Sequence, residues 1–344
     1  MQCLHGRREY ASLKRALRRE NMIEVNTPSR LHITLIDLNG SIGRLDGGVG
    51  LALDFPSVKI NAREAAELSI SGNTTFEDRI ERAAAAIMTA YEVAGVAIEV
   101  IDEYPAHVGL GSGTQVALAV GTAISELYDL RLTPATIARL TGRGGTSGIG
   151  VAAYEAGGFL IDGGHKGKTA FLPSSASGKY GQAPLIVRHD FPDWTIVLAI
   201  PNLHGASDTR EVEIFKQSCP LPLAEIQELC HVILMKMLPA VVERDIESFG
   251  QSIDRIQMLG FKRRELELQP FCARLVQFMK DNGAFGAGMS SFGPAVYGIT
   301  DGTQLHTAVQ HYLDETIGGQ VHAVRARNRG AHIHKTSGQR AQHP

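Results

Sequence analysis

EYPAHVGLGSGTQVALAVGTAISELYDL, Glu103 to Leu130, decides how the rest of the chain is read. A β-like run, Val96 to Ile101, leads into a glycine-rich turn, Gly109-Leu110-Gly111-Ser112-Gly113-Thr114, and a helix of small residues follows at once. Such a turn lines up backbone N–H groups at a helix start, where the helix dipole adds partial positive charge, so it suits a phosphate or pyrophosphate. Glycine serves there because side chains would block a close approach and some positions need φ > 0. The spacing is not the Walker pattern, since no Lys-Ser/Thr pair closes the loop. Nor is it G-x-G-x-x-G after a first strand.

The 344 residues suffice for two domains with a sizeable core. With 44% hydrophobic and 20% charged residues the composition is that of an ordinary globular protein. No apolar run approaches the roughly 20 residues that span a bilayer, and no signal peptide is visible. The four cysteines, Cys3, Cys219, Cys230 and Cys272, lack metal-ligand spacing and read as reduced thiols of a cytoplasmic protein. The net charge of −2 is uneven. Residues 1–21 carry six Lys/Arg against two Glu, and residues 325–344 carry five with no acid, leaving the body between them at −11. An acidic body argues against nucleic acid as a partner, and the apolar pattern against a membrane.

Outward from the turn, residues 1–21 form a basic, dispensable extension with Met22 as an alternative start. Ile23 to Asp37 alternates as a long strand. Arg30, His32 and Thr34 share one face of it by the period of two. Asp37, Asn39, Arg44 and Asp46 follow in a short loop, and Val49 to Leu53 resumes the strand; this reads as a substrate-binding strand and loop. Phe76 to Val93 is a helix. Gly142 to Gly150, GRGGTSGIG, is a second glycine-dense turn with Arg143, Thr146 and Ser147. GGFLIDGGHK is a strand ending in Asp162, His165 and Lys166. Ser174 to Gln182 reads as a loop near the domain boundary. Helices are expected over Asp208 to Gln217, Leu223 to Met237 and Val241 to Met258, the last two split by Pro239. Gly283 to Thr300, with Ser290 and Ser291, is a third glycine-rich segment, strand–turn–strand in character. The chain from Asn328 lacks apolar content and reads as a disordered tail.

Three of these segments match one superfamily: a Pro-Ser-Arg strand with a downstream Gly-Gly, then P-x-x-x-G-L-G-S-G-T, then a late Gly/Ser turn before a strand. Together they resemble the GHMP superfamily of small-molecule kinases. In finer detail, TPSRLHITLIDLNGSIGRLDGGVGLALDFP, GLGSGTQVALAVG, GRGGTSGIGVAAYEAGGFLIDGGHK and GAGMSSFGPAVYG closely resemble the β-ribofuranosylaminobenzene 5′-phosphate synthase family of methanopterin biosynthesis. One departure from the kinases supports this choice. Sugar and mevalonate-type kinases carry S-G-x-D in the second turn, where the Asp helps activate the acceptor hydroxyl. Here the text is Ser147-Gly148-Ile149-Gly150, and glycine cannot supply a general base.

The resemblance implies a two-domain α+β fold: a ribosomal-S5-like first domain over residues 22–185 and a ferredoxin-like second domain over 186–327, followed by the tail 328–344. It implies transfer of ribose 5-phosphate from phosphoribosyl pyrophosphate to 4-hydroxybenzoate or 4-aminobenzoate, with loss of pyrophosphate and CO2, helped by Mg²⁺. The competing expectation is an ATP-dependent GHMP kinase. Gly109, Gly111, Ser112, Gly113, Thr114 and Gln115 are expected at the pyrophosphate. Arg30, Arg44, Arg143 and Lys166 are expected at the 5-phosphate or the arene carboxylate, with Thr34, Asn39, Asp46 and Ser147 beside them. Gly288, Ser290, Ser291 and Gly293 are carried over from the kinases as binding residues. His32, Asp37 and His165 are the candidate catalytic residues, either His drawing on the para substituent of the ring. Asp37 and Asp46 are the carboxylates offered to Mg²⁺, with no ligand set fixed. Relatives in the superfamily are often dimers, which extends to a homodimer here.

Overall fold

The computed structural model describes residues 21–173, 176–205 and 208–336. Apart from Asn21, the basic extension lies outside them. The strands are β1 (Met22–Asn26), β2 (Ser29–Asp37), β3 (Arg44–Leu53), β4 (Lys59–Glu64), β5 (Ser69–Ser71), β6 (Val96–Asp102), β7 (Phe159–Asp162), β8 (His165–Lys166), β9 (Leu185–His189), β10 (Thr195–Pro201), β11 (Gly286–Met289), β12 (Val296–Thr300), β13 (Gly319–Val324) and β14 (His332–Thr336). The helices are α1 (Glu77–Tyr91), α2 (Ser112–Leu127), α3 (Pro134–Leu140), α4 (Ile149–Ala156), α5 (Asp208–Ser218), α6 (Leu223–Val232), α7 (Leu238–Glu243), α8 (Ile246–Gln257), α9 (Gly260–Glu267), α10 (Pro270–Asp281) and α11 (Gln304–Asp314).

The first sheet has the order β14-β1-β4-β6-β5 and the second β2-β3-β7-β9, with β8 against β3. Period-two alternation sends Ile23 and Val25 of β1, Ile60 and Ala62 of β4, and Val96 and Ile98 of β6 inward. Helix α2 covers them. It is apolar on nearly its whole circumference, as a helix enclosed within a core must be.

The third sheet, β11-β12-β10-β13, is antiparallel throughout. Its strand order is that of the ferredoxin-like plait expected for the second half. Along β10, Ile196, Leu198 and Ile200 enter one core with Phe159 and Ile161 of β7 and Phe249, Ile253 and Ile256 of α8. Val197 and Ala199 enter another with Leu275, Met279, Val309 and Leu313. The first of these cores runs through both halves, so a continuous apolar seam fixes one half against the other. Aromatic rings pin it, with Phe249 5.1 Å from Phe191 and 5.5 Å from Trp194 between centroids.

Three expectations need correction. First, residues 328–336 are not disordered: β14 pairs with β1 from Met22↔Thr336 to Asn26↔His332. The Arg327 N–H bonds the Ala52 carbonyl at 2.9 Å, and the Ala331 N–H bonds the Tyr154 carbonyl at 2.7 Å. The segment is polar because it contributes backbone hydrogen bonds to a sheet edge while its side chains stay exposed. Second, the boundary does not fall at residue 185, because β9 pairs with β7 in the N-terminal sheet and the C-terminal sheet begins at Thr195. Third, Pro239 does not split its helices. A wider π turn at Ile233–Met237 precedes it, closed by the Leu238 N–H on the Ile233 carbonyl, and the missing proline donor is tolerated at the start of α7. The break comes at Arg244, which is left-handed at φ 60, and Asp245 then caps α8 through the Ser248 N–H.

Deleting residues 330–344 strips β14 from the edge of β1. The urea midpoint is expected to fall by an amount equivalent to about 1–3 kcal/mol from the lost ladder bonds. An unchanged midpoint would mean the segment is a free tail.

Candidate active site

Three distant segments meet at the carbonyl of Gly109. The Arg30 guanidinium of β2 donates to it, as does the Ser290 hydroxyl, at 2.7 Å. Gly109 is left-handed at φ 85, and a Cβ there would lie 2.3 Å from the Ser290 carbonyl oxygen, so only glycine allows the approach. Further bonds close the junction: the Arg30 N–H on the Leu110 carbonyl at 3.1 Å and the Ala295 N–H on the Val108 carbonyl at 3.0 Å. The His32 N–H reaches the Ser290 hydroxyl at 3.0 Å, and the Ser291 N–H reaches the His32 carbonyl at 3.0 Å.

A cleft opens over this junction, lined by Arg30, His32, Gly109, Gly111, Ser112, Gly113, Thr114, Arg143, Ser147, Ser291 and Gly293 among the expected residues. Its floor at one end is the start of α2, where Gly111 stands in the left-handed conformation and the first turn carries no acid. Arginines gather there. A Cβ on Gly113 would lie 2.3 Å from Arg79 Nη1 and 3.6 Å from Arg143 Nη1. Arg79 Nη2 also contacts His107 Nε2 at 2.8 Å. Burial lowers the Arg30 pKa to about 10, which leaves it charged at neutral pH. Helix N–H groups and arginine forks of this kind suit a polyanion.

The other part of the lining is apolar. Leu35, Phe215 and Phe292 belong to a small core with Phe261, whose ring is 4.5 Å from Phe215 and 5.8 Å from Phe292. Two carboxylates, Glu211 and Glu265, also face the cleft. Glu265 pairs at 2.5 Å with the fully buried Lys262, which also donates to the Met289 and Ser291 carbonyls at 3.2 Å each. Burial raises the Glu265 pKa and lowers that of Lys262, each countered by its partner.

His32 is 5% exposed, and its Nε2 lies 3.1 Å from Ser147 Oγ. Burial, then the charges of Arg30 and Lys262, hold its pKa well below the usual imidazole range, so the ring is neutral. Ser147 Oγ donates to Asp162 Oδ2 at 3.3 Å. Asp162 is fully buried and also accepts the Gly148 and Gly164 N–H groups, both at 3.0 Å. Burial raises its pKa to about 6, with those two N–H bonds opposing.

Other expected residues are placed elsewhere. His165 is not at the cleft. Its Nδ1 bonds Asp46 Oδ2 at 2.6 Å and its Nε2 contacts the Gly181 carbonyl at 3.1 Å. Lys168 Nζ joins the same Asp46 oxygen at 2.9 Å. Asp46 and His165 therefore form, with Lys168, a buried ionic triad outside the cleft lining, away from where they were expected. Burial disfavours charge on His165, but the bond and charge of Asp46 outweigh it and raise the pKa. Asp37 Oδ1 accepts the Asn39 and Gly40 N–H groups at 2.7 and 3.0 Å, closing the β2–β3 turn outside the cleft lining. Asn39 donates to the Leu221 carbonyl, Arg44 to the Gly163 and Gly164 carbonyls, and Gln115 to the Gly150 carbonyl. Thr34 is buried and bonds the Leu35 carbonyl, and Lys166 is exposed on β8. Gly288 is buried in β11. Ser290 is buried beneath the cleft as the clamp on Gly109.

Sequence reasoning missed Arg79, His107, Glu211, Phe215, Lys262, Glu265 and Phe292. Arg79, on a helix distant in sequence, and the pair Lys262/Glu265, on an unexpected short helix, carry no local motif. Phe292 sat inside the quoted late turn and could have been found there. At Gly150 a Cβ would lie 3.2 Å from Thr114 Cγ2, so this glycine packs directly on the first glycine turn. Among the described residues no three His, Cys, Asp or Glu side chains cluster as a metal site. No described helix is long and apolar enough to cross a membrane.

The fold and glycine turns define a GHMP-type protein. The GHMP kinases N terminal domain matches residues 78–158 and the GHMP kinases C terminal domain matches residues 237–316. The mevalonate kinase of L. major, solved in complex with R-mevalonate, superposes with a TM-score of 0.67 at 14% identity, covering 89% of this chain and 96% of that one. Within this class the chain belongs to the β-ribofuranosylphenol 5′-phosphate synthase family. It is 52% identical to the synthase of Archaeoglobus fulgidus over 91% of this chain and 99% of that protein. The Methanocaldococcus jannaschii synthase is 44% identical over 90% of this chain and 99% of its own length.

The raised His165 pKa gives a test. The pairing stabilises the fold fully below the unfolded pKa of about 6.5, and that contribution is lost as pH rises through the folded value. The variant His165→Gln should keep turnover within a few-fold. Its stability advantage to wild type should be most negative at pH 6 and shrink at high pH, read by urea denaturation. A loss of turnover without a stability change would return His165 to the chemistry.

Proposed function

We propose that the protein is a decarboxylating phosphoribosyltransferase acting in the cytoplasm. Phosphoribosyl pyrophosphate donates ribose 5-phosphate to 4-hydroxybenzoate, giving pyrophosphate, CO2 and a β-ribofuranosyl phenol 5′-phosphate for methanopterin biosynthesis. One observation carries this reading: a single cleft joins a polycationic end, at Arg79, Arg143 and the start of α2, to an apolar end at Leu35, Phe215 and Phe292. That division suits a polyanionic donor and an aromatic acceptor. The phenol in the relatives' name favours the hydroxy acid over 4-aminobenzoate.

In this account the pyrophosphate sits on the N–H groups and hydroxyls of Gly111 to Thr114, with Arg79 and Arg143 taking up the charge that grows as the C1–O bond breaks. The arene lies against Phe215 and Phe292. Arg30 meets its carboxylate, and neutral His32, on the same face of β2, meets the para hydroxyl. Withdrawing the hydroxyl hydrogen pushes electrons to the ring carbon that bears the carboxylate, which bonds to C1 of ribose. Release of CO2 returns the electron pair that restores the aromatic ring.

Mg²⁺ fits as a companion of the donor rather than a resident of the protein, since it commonly uses one or two carboxylates plus substrate phosphates. Glu211, Ser112 and Thr114 are the cleft oxygens that would hold it, and its contribution is to neutralise the leaving pyrophosphate. Asp37 and Asp46, engaged in a turn and an ionic triad, do not fit that role.

The test is one assay with two arms. Protein and Mg²⁺ receive phosphoribosyl pyrophosphate with carboxyl-labelled 4-hydroxybenzoate or 4-aminobenzoate, and CO2 and pyrophosphate are counted. The second arm offers ATP with sugar and amino-acid alcohols. Donor-dependent CO2 release, faster with the hydroxy acid, is expected. ADP without CO2 would make the protein a kinase and overturn the reading.

A further inference from the structure

The second glycine turn, Gly142 to Gly150, carries no acid of its own, yet a carboxylate stands against that turn from another element. Asp162, at the end of β7, bonds the Gly148 N–H and the Ser147 hydroxyl. Ser147 in turn touches His32, so the chain Asp162–Ser147–His32 joins β7, the turn and the cleft wall.

Counting hydrogens fixes the state of the imidazole. Ser147 Oγ has one hydrogen and three partners. The Ile149 N–H, at 3.2 Å, can only donate to it. The Asp162 carboxylate can only accept, so it takes the serine hydrogen. His32 Nε2 must then be the donor of the third contact, at 3.1 Å. In a neutral ring this leaves Nδ1 as a bare acceptor. Nδ1 is buried and has no hydrogen-bond partner among the described residues. His32 lines the cleft, and an orphaned acceptor buried beside it costs about 1–3 kcal/mol until a donor reaches it.

We propose that Asp162 is a positioning residue: acting through Ser147, it holds His32 as the Nε2–H tautomer and leaves Nδ1 as the acceptor for the hydroxyl hydrogen of the phenol acceptor. The substrate part of this inference rests on the function proposed above. In the step itself the phenol O–H bond breaks and its proton passes to Nδ1, giving imidazolium. The oxygen electron pair moves into the ring, the ring carbon bonds to C1 of ribose, and the C1–O pair leaves with pyrophosphate. After CO2 departs, the imidazolium returns the proton to the phenolic oxygen, so the protein ends as it began.

The tautomer is read by ¹⁵N NMR of the full-length protein, independently of activity. Wild type at pH 7.5 should show His32 with hydrogen on Nε2 and a bare Nδ1. In Ser147→Ala, Asp162 keeps its two backbone donors, so the fold is retained while the link is cut. The Nε2–H preference should disappear, and kcat should fall about 10- to 100-fold with the donor KM unchanged, less than the roughly 10²- to 10⁴-fold that loss of an acid–base group itself costs. Asp162→Asn should do the same through the serine. Hydrogen on Nδ1 in wild type, or an unchanged tautomer and kcat in Ser147→Ala, would overturn the proposal. Wild-type protein that holds the expected tautomer but releases no CO2 would instead refute the proposed reaction and leave the hydrogen-bond chain intact.

Discussion

The carbonyl of Gly109 is shared by β2, through Arg30, and by the late turn, through Ser290. Each partner is held a second time by another part of the same junction, since Ser290 also takes the His32 N–H and Arg30 also takes the Leu110 carbonyl. The left-handed glycine is what lets three backbones come this close. The direction in which α2 starts, the face that β2 presents and the position of Phe292 all follow from this contact. A side chain at Gly109 would force the late turn away and separate the two ends of the cleft.

Charge is arranged around that junction in two ways. At the start of α2, arginines from α1, β2 and the second glycine turn converge on a helix dipole. Deeper in, Lys262 and Glu265 are buried together, and Lys262 adds to the field that keeps His32 neutral. The neutral imidazole keeps a free lone pair for the phenol proton, while the same cations disfavour the imidazolium that forms, so the transfer depends on the electron pair passing through the ring and out with pyrophosphate. The ionic triad of Asp46, His165 and Lys168 belongs to a separate task. It ties β3 to β8 and to the residue that follows β8 by two, in one buried unit. Triads of this kind are poor measures of net stability but costly to break by removing one member.

The parts legible in the sequence were those dictated by backbone geometry. Gly109, Gly111 and Gly113 signalled a helix start open to an anion, and the period of two placed Arg30 and His32 on one face of β2. The family motifs carried the two-domain fold. Residues that reach the site from afar were not legible: Arg79 looks like any charged position on an amphipathic helix, and Asp162 looks like an ordinary strand end until Ser147 is seen beside it. The placement of His165 was not legible, because glycines and a neighbouring charge surround histidines inside and outside a cleft alike, and its Asp46 contact joins residues 119 apart in sequence. The C-terminal segment was misread because composition reports side-chain burial and says nothing of backbone pairing along β1.

The claim on which everything else depends is that the glycine turn, β2 and the late turn form one ligand site rather than three neighbouring loops. Amide hydrogen exchange measures it directly, with and without phosphoribosyl pyrophosphate and Mg²⁺. Protection is predicted to rise together in the peptides holding residues 30–32, 109–115 and 289–293. Protection confined to the glycine turn, or absent from all three, would contradict the account.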